Sequence, residues 1–223
     1  MGFEKLSLQY LKDLKSNNNR DWFTEHKPTF KIAQDNAKDL YSSIRETLEK
    51  HDEIDQFKLF RIYRDVRFSK DKTPYQPHFA GSFSRLGKEL RGGYYLRIRP
   101  GESFLAGGFW APNKDDLLRI RQEIDIDSSE IREVLNNKEF ISHFGGKLEG
   151  EELKSAPRGF DKDHSDIDLL RKKGFVAIKK FTDKEVLSKD FLKELDKSYK
   201  ALRPFFDLFS NILTTDLNGA STI

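Results

Sequence analysis

Hydrophobic positions recur at helical spacing near both ends of the chain. Apolar side chains three or four positions apart occur in residues 6–14, and the same spacing extends from Pro28 to about residue 50. Another amphipathic segment begins at Ser188, and Pro204 is expected to kink it because proline cannot donate a helical hydrogen bond. The pattern predicts long helices at the N-terminal and C-terminal ends, each with one apolar face to bury.

Alternating apolar and polar positions predict strands between these helices. The predicted strands are residues 57–68, 93–99, 103–110 and 174–181. Pro100 and Gly101 have the composition of a type II turn, which makes the second and third strands a hairpin. Residues 79–90 contain glycine and serine and are interpreted as a connection. The predicted fold class is α+β, a single domain over residues 1–223 with a mainly antiparallel sheet covered by the long N- and C-terminal helices.

The composition is that of a chain that folds without covalent cross-links. Of the 223 residues, 36% are hydrophobic and 13% aromatic, enough to form a core. Cysteine is absent, which excludes disulfides, zinc–thiolate sites and thiol chemistry. No long apolar run occurs, so we expect no signal peptide and no membrane partner, and a cytoplasmic location is the default prediction.

The net charge of +3 is unevenly distributed along the chain. Residues 56–100 contain 11 Lys and Arg against 3 Asp and Glu, so their sum is 11 − 3 = +8, and aromatic residues are interleaved with the cations. Such a segment suits an anionic ligand or a nucleic acid. A solvated surface neutralised by residues 101–170, where 9 − 16 = −7, explains the same charges, and both interpretations stay open.

Arginines in residues 59–78 give the most specific prediction. In a strand, Arg61 and Arg67 would share one face, while Arg64 would lie among apolar residues on the other. A buried guanidinium requires a partner, and its planar donors match phosphate or carboxylate. We therefore predict that the three arginines converge on a cleft. The candidate ligand-binding residues are Arg61, Arg64, Arg67, Lys70, Lys72, Tyr95 and Trp110.

Candidates for proton transfer near this cleft are His78, Tyr75 and Asp65. No phosphate-binding glycine loop, nucleophile elbow or zinc-protease motif occurs, and no cofactor is predicted. The acidic residues from 161 onwards resemble a calcium loop, but Asp166 stands where that loop needs glycine and Lys172 where it needs glutamate. We therefore predict no metal site.

These residues are compatible with three classes of function. The first is a small-molecule enzyme or receptor whose ligand has a phosphate or carboxylate group; the second is nucleic-acid binding through residues 56–100; the third is an interaction module without a ligand. The first is ranked ahead because Asp65 and Asp71 lie inside the basic segment, where a surface for a phosphate backbone gains from having neither. The oligomeric state is left open.

Several motifs together resemble one known family. They are residues 18–23 (NNRDWF), 60–75 (FRIYRDVRFSKDKTPY), 93–95 (GYY), 100–103 (PGES), 107–108 (GG), 158–160 (RGF), His164 and 169–171 (LLR). This set, which spans nearly the whole chain, resembles the bacterial family called domain of unknown function 2461. The resemblance implies a single-domain member of that family, and it implies no reaction, substrate or catalytic residue.

Overall fold

The computed structural model describes residues 2–223 as a mixture of helices and strands. The helices are α1 (Lys5–Ser16), α2 (Arg20–Glu25), α3 (Lys27–Leu48), α4 (Lys114–Ile126), α5 (Ser129–Asn136), α6 (Lys138–Phe144), α7 (Ile167–Leu170), α8 (Asp183–Val186), α9 (Phe191–Ala201) and α10 (Arg203–Thr214). The strands are β1 (Ile54–Leu59), β2 (Phe79–Arg85), β3 (Gly93–Ile98), β4 (Ser103–Phe109) and β5 (Phe175–Phe181).

The five strands form one antiparallel sheet in the order β1-β2-β3-β4-β5, so each strand lies beside the next one in the chain. This confirms the α+β class and the mainly antiparallel sheet packed with N- and C-terminal helices. The predicted hairpin is also confirmed as β3 and β4. Its turn contains Gly101 with φ +74°, a conformation that glycine adopts without strain.

Two sequence predictions near the start of the sheet are wrong. The strand predicted at residues 57–68 is β1, which begins at Ile54 and ends at Leu59, and the chain that follows is irregular as far as residue 78. The predicted connection at residues 79–90 contains strand β2. Glycine in β2 has a packing role, because a Cβ added to Gly81 would lie 2.7 Å from the ring of Tyr41. A residue typical of loops thus allows an aromatic ring to cover the strand.

The described chain divides into two compact units, of which the first contains the chain up to Phe83, Tyr95–Leu105 and Lys180–Lys197. In this unit α3 packs against α1, α2 and β1. Its buried residues recur every three or four positions and are Phe30, Ala33, Ala37, Leu40, Tyr41, Ile44 and Leu48. The Tyr41 hydroxyl donates to the carbonyl oxygen of Leu96 at 2.8 Å, which joins α3 to strand β3.

The second unit contains Ser84–Tyr94, Ala106–Lys179 and Ser198–Ile223. Helix α10 packs against α4 and α5 there and buries three phenylalanine rings, Phe205, Phe206 and Phe209. The C-terminal helix predicted from Ser188 with a kink is two helices, α9 and α10. Pro204 lies in the first turn of α10, where a missing backbone N–H leaves no helical bond unmade.

A short segment extends the sheet pairing of the second unit. Glu149 pairs with Val176 and Glu152 with Lys172, both antiparallel, so residues 149–152 run alongside the start of β5. Between residues 2 and 223, no helix is long and apolar enough to cross a bilayer. The assignment of residues 1–223 to one domain stays a prediction.

Candidate functional site

The segment after β1, residues 60–78, is called the basic loop here. Its two arms run antiparallel, because the Arg64 amide donates to the Pro74 carbonyl at 2.9 Å and the Gln76 amide to the Ile62 carbonyl at 2.7 Å. The arms make a narrow ribbon rather than a regular strand, and the chain turns back between residues 64 and 74. Beyond Arg64, the arginine side chains therefore do not alternate between two faces of a strand, although the sequence predicted that they would.

Arg64 closes the basic loop from within. Its Nη1 lies 2.5 Å from Oδ2 of Asp71 and 3.1 Å from the Thr73 carbonyl oxygen, and it also contacts the Thr73 hydroxyl. The Thr73 amide and the Arg64 guanidinium lower the pKa of Asp71 to about 2. The Arg64 side chain is only 18% exposed. It therefore has the internal carboxylate partner that a poorly solvated guanidinium requires.

The other two arginines of the predicted cleft have different surroundings. Arg67 bonds to Asp65 with 2.6 Å between Nη2 and Oδ2, and this contact lowers the pKa of the Asp65 carboxyl. Arg61 is exposed and has no hydrogen bond or ion pair among the residues that the structure describes. Arg64 and Arg67 are thus bonded to different carboxylates, and the convergence of the three arginines on a cleft stays a prediction.

The tip of the basic loop is held by a lysine and presents an aromatic ring. Lys72 donates from Nζ to the Val66 carbonyl oxygen at 3.0 Å, so this predicted ligand residue supports the loop. Lys70 is exposed, and Phe68 beside it is 97% exposed. The tip therefore offers the Lys70 ammonium group and the Phe68 ring to solvent.

Tyr75 fastens the base of the basic loop to helix α2. Its ring stacks on Phe23 with 4.1 Å between centroids, and its backbone amide and carbonyl both bond to the side-chain amide of Asn18, at 3.1 and 2.8 Å. Burial raises the pKa of Tyr75, so its hydroxyl stays protonated near neutral pH. These contacts explain Tyr75 as a packing residue.

A second group of side chains lies on the face of the sheet that does not contact Tyr41. On β3, Tyr94, Leu96 and Ile98 are buried while Tyr95 and Arg97 alternate with them. The Arg97 guanidinium lies 4.4 Å from the centre of the Phe104 ring, and the rings of Tyr95 and Phe104 are 5.6 Å apart. We call this the outer sheet face, and its members are Phe60, His78, Tyr95, Arg97, Arg99 and Phe104.

The outer sheet face contains polar nitrogens with unused bonding capacity. Within residues 2–223, Nε of Arg97, Nε of Arg99 and Nδ1 of His78 are buried and have no hydrogen-bond partner. Glu102 is the nearby carboxylate, with an oxygen 3.3 Å from Nη1 of Arg99 and 3.9 Å from Nη2 of Arg97. Burial, followed by the charges of Arg97 and Arg99, lowers the pKa of His78 to about 4. His78 is thus neutral at pH 7 and can donate or accept a hydrogen bond.

A family model decides what this chain is related to. The model for DUF2461, described as a conserved hypothetical protein, matches residues 7–208. The chain belongs to the DUF2461 family. Neither the search of curated proteins nor the search of solved structures gives a match. The DUF2461 match covers the basic loop and the outer sheet face, and it brings no ligand or reaction with it.

In this DUF2461 member, two of the motifs that carried the resemblance, residues 18–23 and 60–75, build the basic loop and its base. Asn18 and Phe23 hold its base, and Arg64 and Asp71 close it. Trp110, another predicted ligand residue, lies in the second compact unit, just after β4. The described residues contain no group of three or more His, Cys, Asp or Glu suited to a metal ion.

Sequence reasoning did not include Arg97 and Arg99 among the candidate site residues of this DUF2461 chain. The alternation of Tyr95 and Arg97 along β3, continued by Arg99 just after it, was visible in the sequence and could have identified them. What the sequence did not provide was the position of His78, which depends on the path of the basic loop.

Proposed function

We propose that this protein binds a phosphate or carboxylate group on the outer sheet face, through Arg97 and Arg99. The observation that supports this is the set of buried nitrogens without partners, on Arg97, Arg99 and His78. A buried donor without a hydrogen bond costs about 1–3 kcal/mol, so an acceptor that reaches these nitrogens is bound favourably. Two adjacent guanidinium groups also supply the positive charge that an anion needs.

The aromatic residues beside these arginines suggest how the rest of the ligand is held. Tyr95 and Phe104 present rings next to the Arg97 guanidinium. A planar portion of the ligand stacks on such rings while its anionic group bonds to the arginines. Glu102 competes with the ligand for both cations, so binding requires Glu102 to yield part of its contact.

This proposal keeps part of the site predicted from the sequence. Tyr95 remains a ligand residue, and His78 remains the group beside the anion that can exchange a proton. A bound anion stabilises the imidazolium form, so it raises the pKa of His78 from its low value. Arg61 and Lys70, exposed on the basic loop, contribute attraction at a distance rather than direct contacts. No reaction is proposed.

The test compares two arginine substitutions of equal charge change. Arg97→Met keeps the side-chain length and removes the guanidinium, while Arg158→Met does the same at an exposed position in the second unit. Inorganic phosphate, phosphorylated metabolites and dicarboxylates are titrated by calorimetry. We expect Arg97→Met to weaken binding by about tenfold or more, the effect of losing a charge-assisted bond, with Arg158→Met unchanged. Equal affinities in the two variants, or no binding by the parent protein, would contradict the proposal.

Single-stranded nucleic acid is the second candidate ligand, because the rings of Phe60, Tyr95 and Phe104 follow one another across the same face. Asp65 and Asp71 are each bonded to an arginine of the loop, so their charges oppose a phosphate backbone less than two free carboxylates would. Binding of an oligonucleotide should weaken steeply with salt, with a slope of about −0.7 per phosphate contacted, in a plot of log affinity against log salt. A shallow slope for the oligonucleotide, beside tight phosphate binding, favours the small ligand.

A further inference from the structure

The second compact unit contains a cavity of about 540 Å³ beside Trp110. We call it the Trp110 cavity. Its lining includes the apolar residues Trp110, Pro112, Leu117 and Ile178 and the charged residues Glu149, Glu151 and Lys173. Trp110 follows strand β4 and is 74% exposed. The volume falls within the range of about 300–1,000 Å³ that is typical of small-molecule sites.

Glycines bring the backbones beside this cavity into direct contact. A Cβ added to Gly174 would lie 2.5 Å from the carbonyl oxygen of Trp110, and one added to Gly150 would lie 2.6 Å from the carbonyl oxygen of Gly174. Gly150 also has φ +144°, which other residues rarely adopt. Three chain segments therefore pack at backbone distance, and the backbone of Trp110 is held against Gly174.

The charges of the Trp110 cavity differ in sign from those of the outer sheet face. Glu149 is fixed by its backbone, which exchanges hydrogen bonds of 2.6 and 3.0 Å with Val176. Its carboxylate has no hydrogen bond or ion pair with any residue in the described part of the chain. Glu151, in contrast, is bonded to Lys173 at 2.5 Å. The cavity thus combines one unpaired carboxylate with an exposed indole ring.

We propose that the Trp110 cavity binds an organic cation, a substituted ammonium group on a short apolar body. The ring face of tryptophan carries partial negative charge and attracts cations, most strongly when they are alkylated and weakly hydrated. Glu149 supplies the opposite charge, and Pro112, Leu117 and Ile178 contact the apolar part. Trp110, predicted from the sequence as a ligand residue for an anion, is in this proposal a ligand residue for a cation.

The test uses the indole of Trp110 as its own reporter. The chain has 2 tryptophans, so the Trp22→Phe variant leaves Trp110 as the sole source of indole emission. This variant is titrated with choline and with 3,3-dimethylbutan-1-ol, which has the same shape without the charge. We expect a saturable change in emission with choline and binding of the neutral alcohol weaker by about tenfold, as removal of a cation–π contact and an ion pair implies.

Charge-matched variants locate the effect. Glu149→Gln removes the ion pair and keeps the cation–π contact, so it should lower the affinity for choline to a value between those of choline and the alcohol for the parent, while Glu130→Gln, on the exposed surface of α5, should leave it unchanged. Calorimetry on the parent protein with the same two compounds repeats the comparison without any tryptophan substitution. The proposal is overturned if choline and the alcohol bind equally, if choline does not bind, or if Glu149→Gln and Glu130→Gln behave alike.

Discussion

Arginine takes two different roles in this protein, and the role depends on the partners that each side chain meets. Arg64 is bonded to Asp71 inside the basic loop, and Arg85, whose side chain is fully buried, donates to Asp207 and to the Ser210 hydroxyl. The Arg97 guanidinium lies over the Phe104 ring, and no described residue accepts a hydrogen bond from its Nε. Of these three, Arg97 is the one whose bonding a ligand can complete.

The pKa of His78 leads to a prediction about stability against pH. In the unfolded chain, this histidine titrates near its ordinary value of 6.5, whereas the folded value is about 4. Between these values the unfolded state binds more protons, so the free energy of unfolding contributed by His78 is complete above pH 6.5 and is lost as the pH falls towards 4. One pKa unit corresponds to about 1.4 kcal/mol, so a shift from 6.5 to about 4 corresponds to a loss of roughly 3 kcal/mol.

The variant His78→Gln isolates this contribution. Denaturant unfolding is measured at several pH values for both proteins, and their difference in stability is plotted against pH. We expect the parent to lose stability relative to His78→Gln as the pH is lowered through that window. A difference that does not change with pH would mean that His78 is solvated in the folded protein.

At the scale of elements, the basic loop depends on its internal bonds. We predict that Arg64→Met loosens residues 65–73, because Asp71 and Thr73 lose the guanidinium that joins them to the opposite arm. Trypsin should then cleave faster after Arg67, Lys70 and Lys72, and the Thr73 amide, which donates to Asp71, should exchange faster with deuterium. Binding of phosphate should persist, since the outer sheet face does not use Arg64.

Arg61→Met is the matched control for that experiment, because Arg61 lies on the same loop without a bonded partner among the described residues. In the Arg61→Met variant, trypsin should cleave at residues 67–72 at the same rate as in the parent. If trypsin cleaves the Arg64→Met variant no faster than the parent, and this variant no longer binds phosphate, Arg64 is a ligand residue, as the sequence predicted.

The contact between helix α3 and the sheet gives a third prediction. Tyr41→Phe removes the hydroxyl that donates to Leu96, and this hydroxyl is buried. We expect the free energy of unfolding to fall by about 1 kcal/mol, the usual value for one buried neutral hydrogen bond. Chemical denaturation measures it, and an unchanged midpoint would show that the ring alone holds α3 to the sheet.

Elements with strong local patterns could be predicted from the sequence, and those that depend on distant contacts could not. Helix α3 and the β3–β4 hairpin have clear periodicity and turn chemistry. Strand β2 contains Gly81, a residue typical of loops, so its sequence predicts a loop. The reason for a glycine in this strand is the close approach of the Tyr41 ring, which is 40 positions earlier in the chain. Tertiary contact overrode local propensity there.

The candidate site was predicted in part for the same reason. The sequence identified a basic and aromatic segment, and Tyr95 and His78 within it are members of the outer sheet face. The partner of Arg64 was not predictable, because the arms of the basic loop had to fold back before Asp71 could reach it. Arg97 and Arg99, in contrast, are recognisable in the sequence from their alternation with apolar residues.

For the whole molecule, we predict a single unfolding transition. The chain passes from one compact unit to the other within strands β2, β3, β4 and β5, so each of these strands has residues in both units. A strand half ordered and half unfolded leaves ladder hydrogen bonds unmade, which favours loss of both units together. The single-tryptophan variants Trp22→Phe and Trp110→Phe report on opposite units. For each variant, the denaturation midpoint from tryptophan fluorescence should coincide with the midpoint from circular dichroism. A fluorescence midpoint that differs from it would indicate two domains.

The pairing of residues 149–152 with the start of β5 has a consequence for behaviour at high concentration. Strand β5 is at one end of the sheet order, and an uncovered terminal strand is a template on which further chains can add and form aggregates. Here the protein's own segment occupies residues 172–176, and the charged Glu152–Lys172 contact lies at that border. We therefore expect this pairing to hinder the addition of a second chain at residues 172–176, the part of the edge that the segment occupies.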